Sequence, residues 1–236
     1  MPSIKKESAG AATIWTLRNT KGNELKVTDL GARVVSMRFR DKNFTNRFLL
    51  KDDAAAGNVF VDGGADFTKI IWQAEETLEG MKFTAELNGK SATVTYSISN
   101  DNEISIKYEA SGVKDISTEM IFAMPDAEFR ACQKGATWEK IGDTKTYPVT
   151  EIAEVEMELG MFGYDPGCPI DYLNAGLKNA ANIFSEALQI DLIVYATQNN
   201  ISAAAVEGGI AVKTDGSDAA DGKIKSQTVY MIKNRN

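Results

Sequence analysis

Residues 91–110 read SATVTYSISNDNEISIKYEA. Val94, Tyr96 and Ile98 fall on every second position, and so do Ile104, Ile106 and Tyr108 beyond the polar NDNE break. A period of two in β-branched and aromatic residues belongs to strands with one buried face, so the stretch predicts a β-hairpin. Just upstream, LNGK at 87–90 carries an Asn-Gly pair, which accepts the positive φ angles of a tight hairpin turn.

The same grammar extends outward in both directions. TIWTLRNTKGNELKVTDL (13–30) reads as two strands around a Lys-Gly-Asn turn, and MKFTAEL, TEMIFAM, QIDLIVYATQ, ISAAAV and SQTVYMIK read as further strands. GLKNAANIFSEAL (176–188) is the one segment that suggests a helix, with ambiguous apolar spacing. No repeat, low-complexity tract or linker divides the chain. The expectation is a single all-β domain over residues 1–236, a large antiparallel two-sheet β-sandwich.

Composition narrows the function. The chain has 236 residues, 43% hydrophobic and 25% charged, with a net charge of −7 and scattered Lys and Arg. That is an ordinary globular balance without the basic stripe of a nucleic-acid binder. No apolar run approaches the roughly 20 residues that span a bilayer, and MPSIKKESAGAATIW lacks the apolar core of a signal peptide. The reading is a soluble protein with its compartment open, the cytoplasm favoured; oligomeric state is not readable.

The chain has no histidine and only two cysteines, Cys132 and Cys168. A four-ligand zinc site, a catalytic Cys–His pair and His-ligated transition metals are thereby excluded. No cofactor and no metal is expected. The two thiols read as separate and buried, with a single disulfide as the alternative. Glu154, Glu156 and Glu158 alternate with apolar residues and read as a solvated strand face. DGSDAADG (215–222) lacks EF-hand spacing and reads as an acidic loop.

Collinear segments carry a resemblance: GNELKVTDLGARVVSMRF (22–39), ADFTKIIWQAEE (65–76), VTYSISNDNEISIKYEA (94–110), YPVTEIAEV (147–155), GYD (163–165), IDLIVYATQ (190–198) and GGIAVKTD (208–215). In this order the chain resembles the aldose 1-epimerase (galactose mutarotase) family. The resemblance implies a galactose mutarotase-like supersandwich with a sugar cleft on one concave sheet. Two contractions, after LLKDDAAAG and after EFRACQ, shorten the chain relative to that pattern, and the first takes with it the segment of the sugar-binding Arg.

Mutarotation needs one group to take the anomeric proton and another to protonate the ring oxygen, both within hydrogen-bond reach. The family's Glu base and His acid are missing from the matching positions. Asp62-Gly63-Gly64 stands for His-Gly-Gly, Pro125 for the catalytic His, and Lys213 for the Glu. Proline carries no titrating group, and an ordinary lysine, with a pKa near ~10.4, is a base only after a large downward shift. Asp165 matches the sugar-binding Asp, although it precedes Pro166-Gly167 and also reads as a turn residue. Asp62 reads first as a turn residue and Lys213 as a solvent-facing side chain on a terminal strand. Among aromatics, Trp72 reads as core, while Trp138 and Tyr164 are candidate sugar platforms, Tyr147 falling in the same region.

The reading is thus an epimerase-like scaffold lacking the catalytic pair, an enzyme of the isomerase class only if other groups replace it. Carbohydrate-binding candidates are Asp165, Asp62, Trp138 and Tyr164, with a mono- or oligosaccharide as partner, and neither nucleic acid nor membrane. Two alternatives stay open. One is an active epimerase with Asp62 or Asp126 as acid and Asp165 or Lys213 as base; the other is a structural module without a sugar site.

Overall fold

The computed structural model describes residues 3–51, 57–62, 66–133, 136–149, 176–216 and 222–235. Its first sheet is a meander of β1 (Ser3–Ala9), β2 (Ala12–Arg18), β3 (Glu24–Thr28), β4 (Val34–Arg40) and β5 (Asn46–Phe48). Next in the chain come β6 (Gly57–Val61), β7 (Gln73–Glu76), β8 (Met81–Leu87), β9 (Lys90–Ile98) and β10 (Glu103–Ser111). They are followed by β11 (Ile116–Phe122), β12 (Glu128–Ala131), β13 (Lys145–Pro148) and β14 (Lys178–Ser185). The last four are β15 (Ile190–Ala196), β16 (Asn200–Val206), β17 (Gly209–Asp215) and β18 (Lys223–Asn234). These form an eight-stranded sheet in the order β12-β14-β15-β18-β10-β9-β8-β7 and a five-stranded sheet in the order β13-β16-β17-β11-β6, with antiparallel pairing throughout.

The 91–110 stretch is the hairpin β9–β10. Its register sets Ile98 opposite Ile104, Tyr96 opposite Ile106 and Val94 opposite Tyr108, all buried. Each such side chain contributes about 1.5–3 kcal/mol by leaving water, so a one-residue slip would forfeit the whole set. Asn88 and Gly89, at φ 54° and 74°, make the turn between β8 and β9 with both central residues left-handed.

Both five-stranded sheets lie on the same face of the eight-stranded one. Trp15 of β2 meets Phe83 of β8 edge-on at 5.4 Å, and Phe122 of β11 meets Tyr230 of β18 at 5.5 Å. The two smaller sheets are joined as well. Lys51 N donates to Ile121 O at 3.0 Å and Ala123 N to Leu49 O at 2.7 Å, so the chain after β5 runs alongside β11. The result is a supersandwich whose main apolar core reaches from Leu17 and Val27 through Phe83 and Tyr96 to Met120 and Val212, with a second buried cluster of Leu177, Ile193, Tyr195, Val229 and Met231 among the described residues. Trp72 belongs to the main core, its indole N–H bound to Phe67 O at 2.9 Å.

One expectation is overturned. Residues 178–185 form a strand, β14, laddered to β12 on one side and β15 on the other. A bulge between Asn179 and Ala181 and burial of both faces, from Asn179 through Ile183, erase the period of two. A strand covered on both faces reads as an unbroken small-apolar run, which periodicity cannot tell from a buried helix.

Candidate functional site

The candidate site is the outer face of the β13-β16-β17-β11-β6 sheet. Cross-strand partners in an antiparallel sheet project to one face. The registers therefore line up Thr146, Ser202, Lys213, Glu119 and Asn58 as one polar rank across all five strands. Their neighbours Ile201, Val212, Met120 and Thr214 turn inward and are buried, so the alternation that builds the core also forces the polar set outward. The next rank begins with Asp215 opposite Asn200. Gly209 lets β17 start tight against β11, since a Cβ there would meet Phe122 O at 2.1 Å.

Within the rank, Lys213 Nζ lies 3.0 Å from Asp215 Oδ2, the two side chains being 37% and 23% exposed. Thr146 and Ser202 share a hydroxyl bond of 2.9 Å. Farther along β11 on the same side, Ile121 and Ala123 follow Glu119. Ala123 borders a cavity of about 530 Å³ shared with Val35, Ser36, Phe48, Leu50 and Lys51. The Phe48 ring is 63% exposed there, and Lys51 Nζ donates to Glu207 O.

Of the positions singled out in the sequence, Asp62, Pro125 and Lys213 lie apart from one another. Asp62 closes β6 in the left-handed conformation, φ 53°, and its N–H donates to Asp115 O at 2.8 Å, before the start of β11. Its carboxylate accepts from Lys90 Nζ and, at 2.5 Å, from Lys114 N. The Lys90 ammonium, more than the opposing effect of burial, holds it below the usual carboxylate range. Pro125 lies past the other end of β11, in the wall of a small cavity of about 120 Å³ with Asp126, Ile141 and Ala205. At ~3.3 Å per residue, residues 115 and 125 are roughly 30 Å apart along the strand direction. Lys213, opposite Glu119, sits between them.

Asp126 is also occupied. It accepts from Ser185 Oγ at 2.6 Å and Ala187 N at 2.7 Å, tying down the β14–β15 turn. Burial pushes its pKa up, but these hydrogen bonds outweigh burial and leave it low. Such a carboxyl holds no proton to donate near neutrality. Trp138 is partly buried on the approach to Glu139, whose backbone pairs with Phe129 of β12. Tyr147 stacks on Phe129 at 5.3 Å and donates to Glu139 Oε1 at 2.5 Å. Asp165, Tyr164, Cys168 and the Glu154–Glu156–Glu158 set lie outside the described residues.

Sequence reasoning missed Glu119, Asp215, Ser202, Asn58 and Phe48. TEMIFAM announces a strand, but nothing in it says that Glu119 will face Lys213; only the pairing register does. Carboxylate, ammonium and amide groups that are partly exposed on one sheet face, with a buried hydroxyl at Ser202 between them, suit a polyhydroxylated ligand.

No family model matches the chain, and the comparison with curated proteins found no match. Solved structures are. The GalM/aldose epimerase homologue from C. elegans superposes with a TM-score of 0.66 at 12% identity, over 100% of both chains. Galactose 1-epimerase from Lactobacillus acidophilus gives 0.63 at 13% identity, over 100% of this chain and 99% of its own. The putative mutarotase YeaD from Salmonella typhimurium gives 0.59 at 10%, over 98% and 94%. Likeness at such identity is likeness of fold, and this chain has the galactose mutarotase-like β-sandwich fold.

Proposed function

We propose that the protein binds a carbohydrate on the outer face of the β13-β16-β17-β11-β6 sheet and lacks the acid–base pair of an aldose 1-epimerase. One observation carries the reading. Asp62 and Pro125 stand at opposite ends of β11, with Lys213 between them, while the Asp62 and Asp126 carboxylates are tied into turns. A proton relay across a sugar ring needs two groups within hydrogen-bond reach of one ligand, and these cannot meet. What the face retains is the polar rank of Glu119, Lys213, Ser202 and Asn58, beside the Phe48 cavity. The names of the fold neighbours, aldose epimerase homologue and galactose 1-epimerase, favour a hexose as ligand.

The test pairs polarimetry with ligand-observed NMR. Galactose and glucose are expected to mutarotate at the buffer rate, and to bind with a millimolar dissociation constant, about −4 kcal/mol. Glu119→Gln and Lys213→Ala are expected to weaken that binding. Absence of binding by any monosaccharide would leave the face a structural surface and sink the proposal.

A second reading has one observation behind it. Glu119 stands directly across from Lys213, so a carboxylate and an ammonium do share one rank. An isomerase using Glu119 predicts accelerated mutarotation, abolished in Glu119→Gln, and the same polarimeter decides between the two.

A further inference from the structure

At the end of the sandwich where the β2–β3, β4–β5 and β9–β10 turns meet lies a cavity of about 400 Å³. Lys21, Arg40 and Lys42 line it, with Asp41 as its carboxylate. Asp41 does not neutralise them. Its oxygens accept from Asn43 N at 2.9 Å, Thr45 N at 2.8 Å and Arg47 Nε at 2.9 Å. Lys42 Nζ reaches a neutral acceptor, Arg235 O, at 3.2 Å. Lys21 approaches Asp101 only to 3.9 Å, between two exposed side chains, a contact worth little.

Arg40 is the decisive residue. Its guanidinium packs on Gly22, and its Nε is buried with no hydrogen-bond partner. The nearby Glu24 is already shared by Arg38 and Arg18. The Arg40 Nε is sealed off, but the residue lines the cavity and has no ion pair among the described residues, which leaves its charge for a ligand held by the Nη groups. On a chain of net charge −7, a cavity with this cationic excess runs against the overall field.

Phe44 adds a second, independent sign. Its ring is 81% exposed and its backbone is left-handed, φ 60°, at a hairpin-loop position that favours Gly or Asn. Neither burial nor backbone preference selects phenylalanine there, and unfavourable conformations of this sort gather at ligand sites.

We infer that this cavity binds a small phosphate ester. The phosphate lies among Arg40, Lys21 and Lys42, where the guanidinium fork grips two oxygens and the ammonium groups add point charges. The body of the ester lies on the Phe44 ring. Arg40 is about 13 Å along β4 from Ser36, which borders the Phe48 cavity, so this site stands or falls independently of the sugar face.

Calorimetric titration of the full chain at low salt, with inorganic phosphate, phenyl phosphate and phenol, tests the inference. Both phosphates are expected to bind saturably and phenol not at all. Arg40→Gln is expected to weaken both by about tenfold. The exposed pair K21Q/K42Q is expected to act in the same direction, and it keeps the test valid should Arg40→Gln fail to fold. Phe44→Ala is expected to weaken phenyl phosphate and leave inorganic phosphate unchanged. Failure of both phosphates to saturate, or affinities unchanged in the charge variants, would overturn the site; equal loss of both ligands in Phe44→Ala would overturn the role of the ring.

Discussion

Replacing Thr214 by valine tests whether the core between the sheets is held by a linked chain of hydroxyls. Thr118 on β11, Thr214 on β17 and Thr228 on β18 are fully buried. Thr214 Oγ1 lies 3.1 Å from both Thr118 Oγ1 and Thr228 Oγ1, and Thr228 donates to Gln198 Oε1 at 3.3 Å. The chain therefore crosses from the five-stranded to the eight-stranded sheet. Thr214→Val removes two bonds at about 1 kcal/mol each, giving roughly 2 kcal/mol; Thr228→Val also removes two and Thr118→Val one, with the two bonds of Thr214 shared between variants. Acting independently, the three changes would total about 5 kcal/mol. The triple variant removes only three distinct bonds, about 3 kcal/mol; the buried Gln198 Oε1 loses its donor while each new methyl returns up to ~0.8 kcal/mol, so its expected cost is about 3 kcal/mol, well below that sum. Urea unfolding of the three single variants and the triple one measures this. Costs that add to within ~0.5 kcal/mol would show three separate contacts rather than one network.

Further expectations follow from the same packing and hydrogen bonding. In a Cys168→Ser background, Cys132 should react with a disulfide reagent only on unfolding, because burial pushes its thiol up to about 12 and its Sγ is held between Asn179 and Asn182; rapid native-state labelling would contradict this. Asp62 has a folded pKa below its ordinary value, so its stabilisation is present above about pH 4 and lost as pH falls through the folded value. Asp62→Asn should accordingly flatten the acid limb of a stability–pH curve, and parallel curves for the two proteins would refute the assignment. On β11, Met120→Ala should cost about 2–5 kcal/mol while the adjacent Glu119→Gln stays within ~0.5 kcal/mol, since one side chain fills the core and the other does not. Comparable losses would mean that the sheet's faces are assigned wrongly.

The fold was legible because its strands bury one face each. Val94, Tyr96, Ile98, Ile104, Ile106 and Tyr108 announce their hairpin two residues at a time, and Asn88-Gly89 announces the turn before it. The failure at 178–185 has the opposite cause. A strand covered on both sides, bulged, and built from Ala and Asn carries no alternation to read. The site was less legible than the fold, since it depends on register. Lys213 was visible as an odd residue at the end of GGIAVKTD, yet β17 is an inner strand of its sheet, flanked by β16 and β11, and its pairing is what gives Lys213 Glu119 as a neighbour. Phe44 and Arg40 carried no motif at all. Their significance comes from exposure, backbone conformation and an unmet donor, properties of the folded chain alone.

The distribution of acids and bases explains why the scaffold can persist without imidazole. The core faces of β11, β16 and β17 are apolar apart from the threonine chain, so the packing of the core does not require a particular residue at Glu119 or Lys213. The carboxylates that the fold does require lie elsewhere, at the strand ends. Asp41 organises the β4–β5 loop, Asp62 the turn after β6, and Asp126 the turn between β14 and β15, each by accepting backbone N–H groups that would otherwise lack partners. Turn carboxylates of this kind are fixed by architecture and unsuited to proton transfer, while the outward rank is open to chemical change at little cost to folding. Exchange of residues in that outward rank leaves the sandwich intact and the face polar. That is why the question of function falls on the ligands of that face and of the Arg40 cavity.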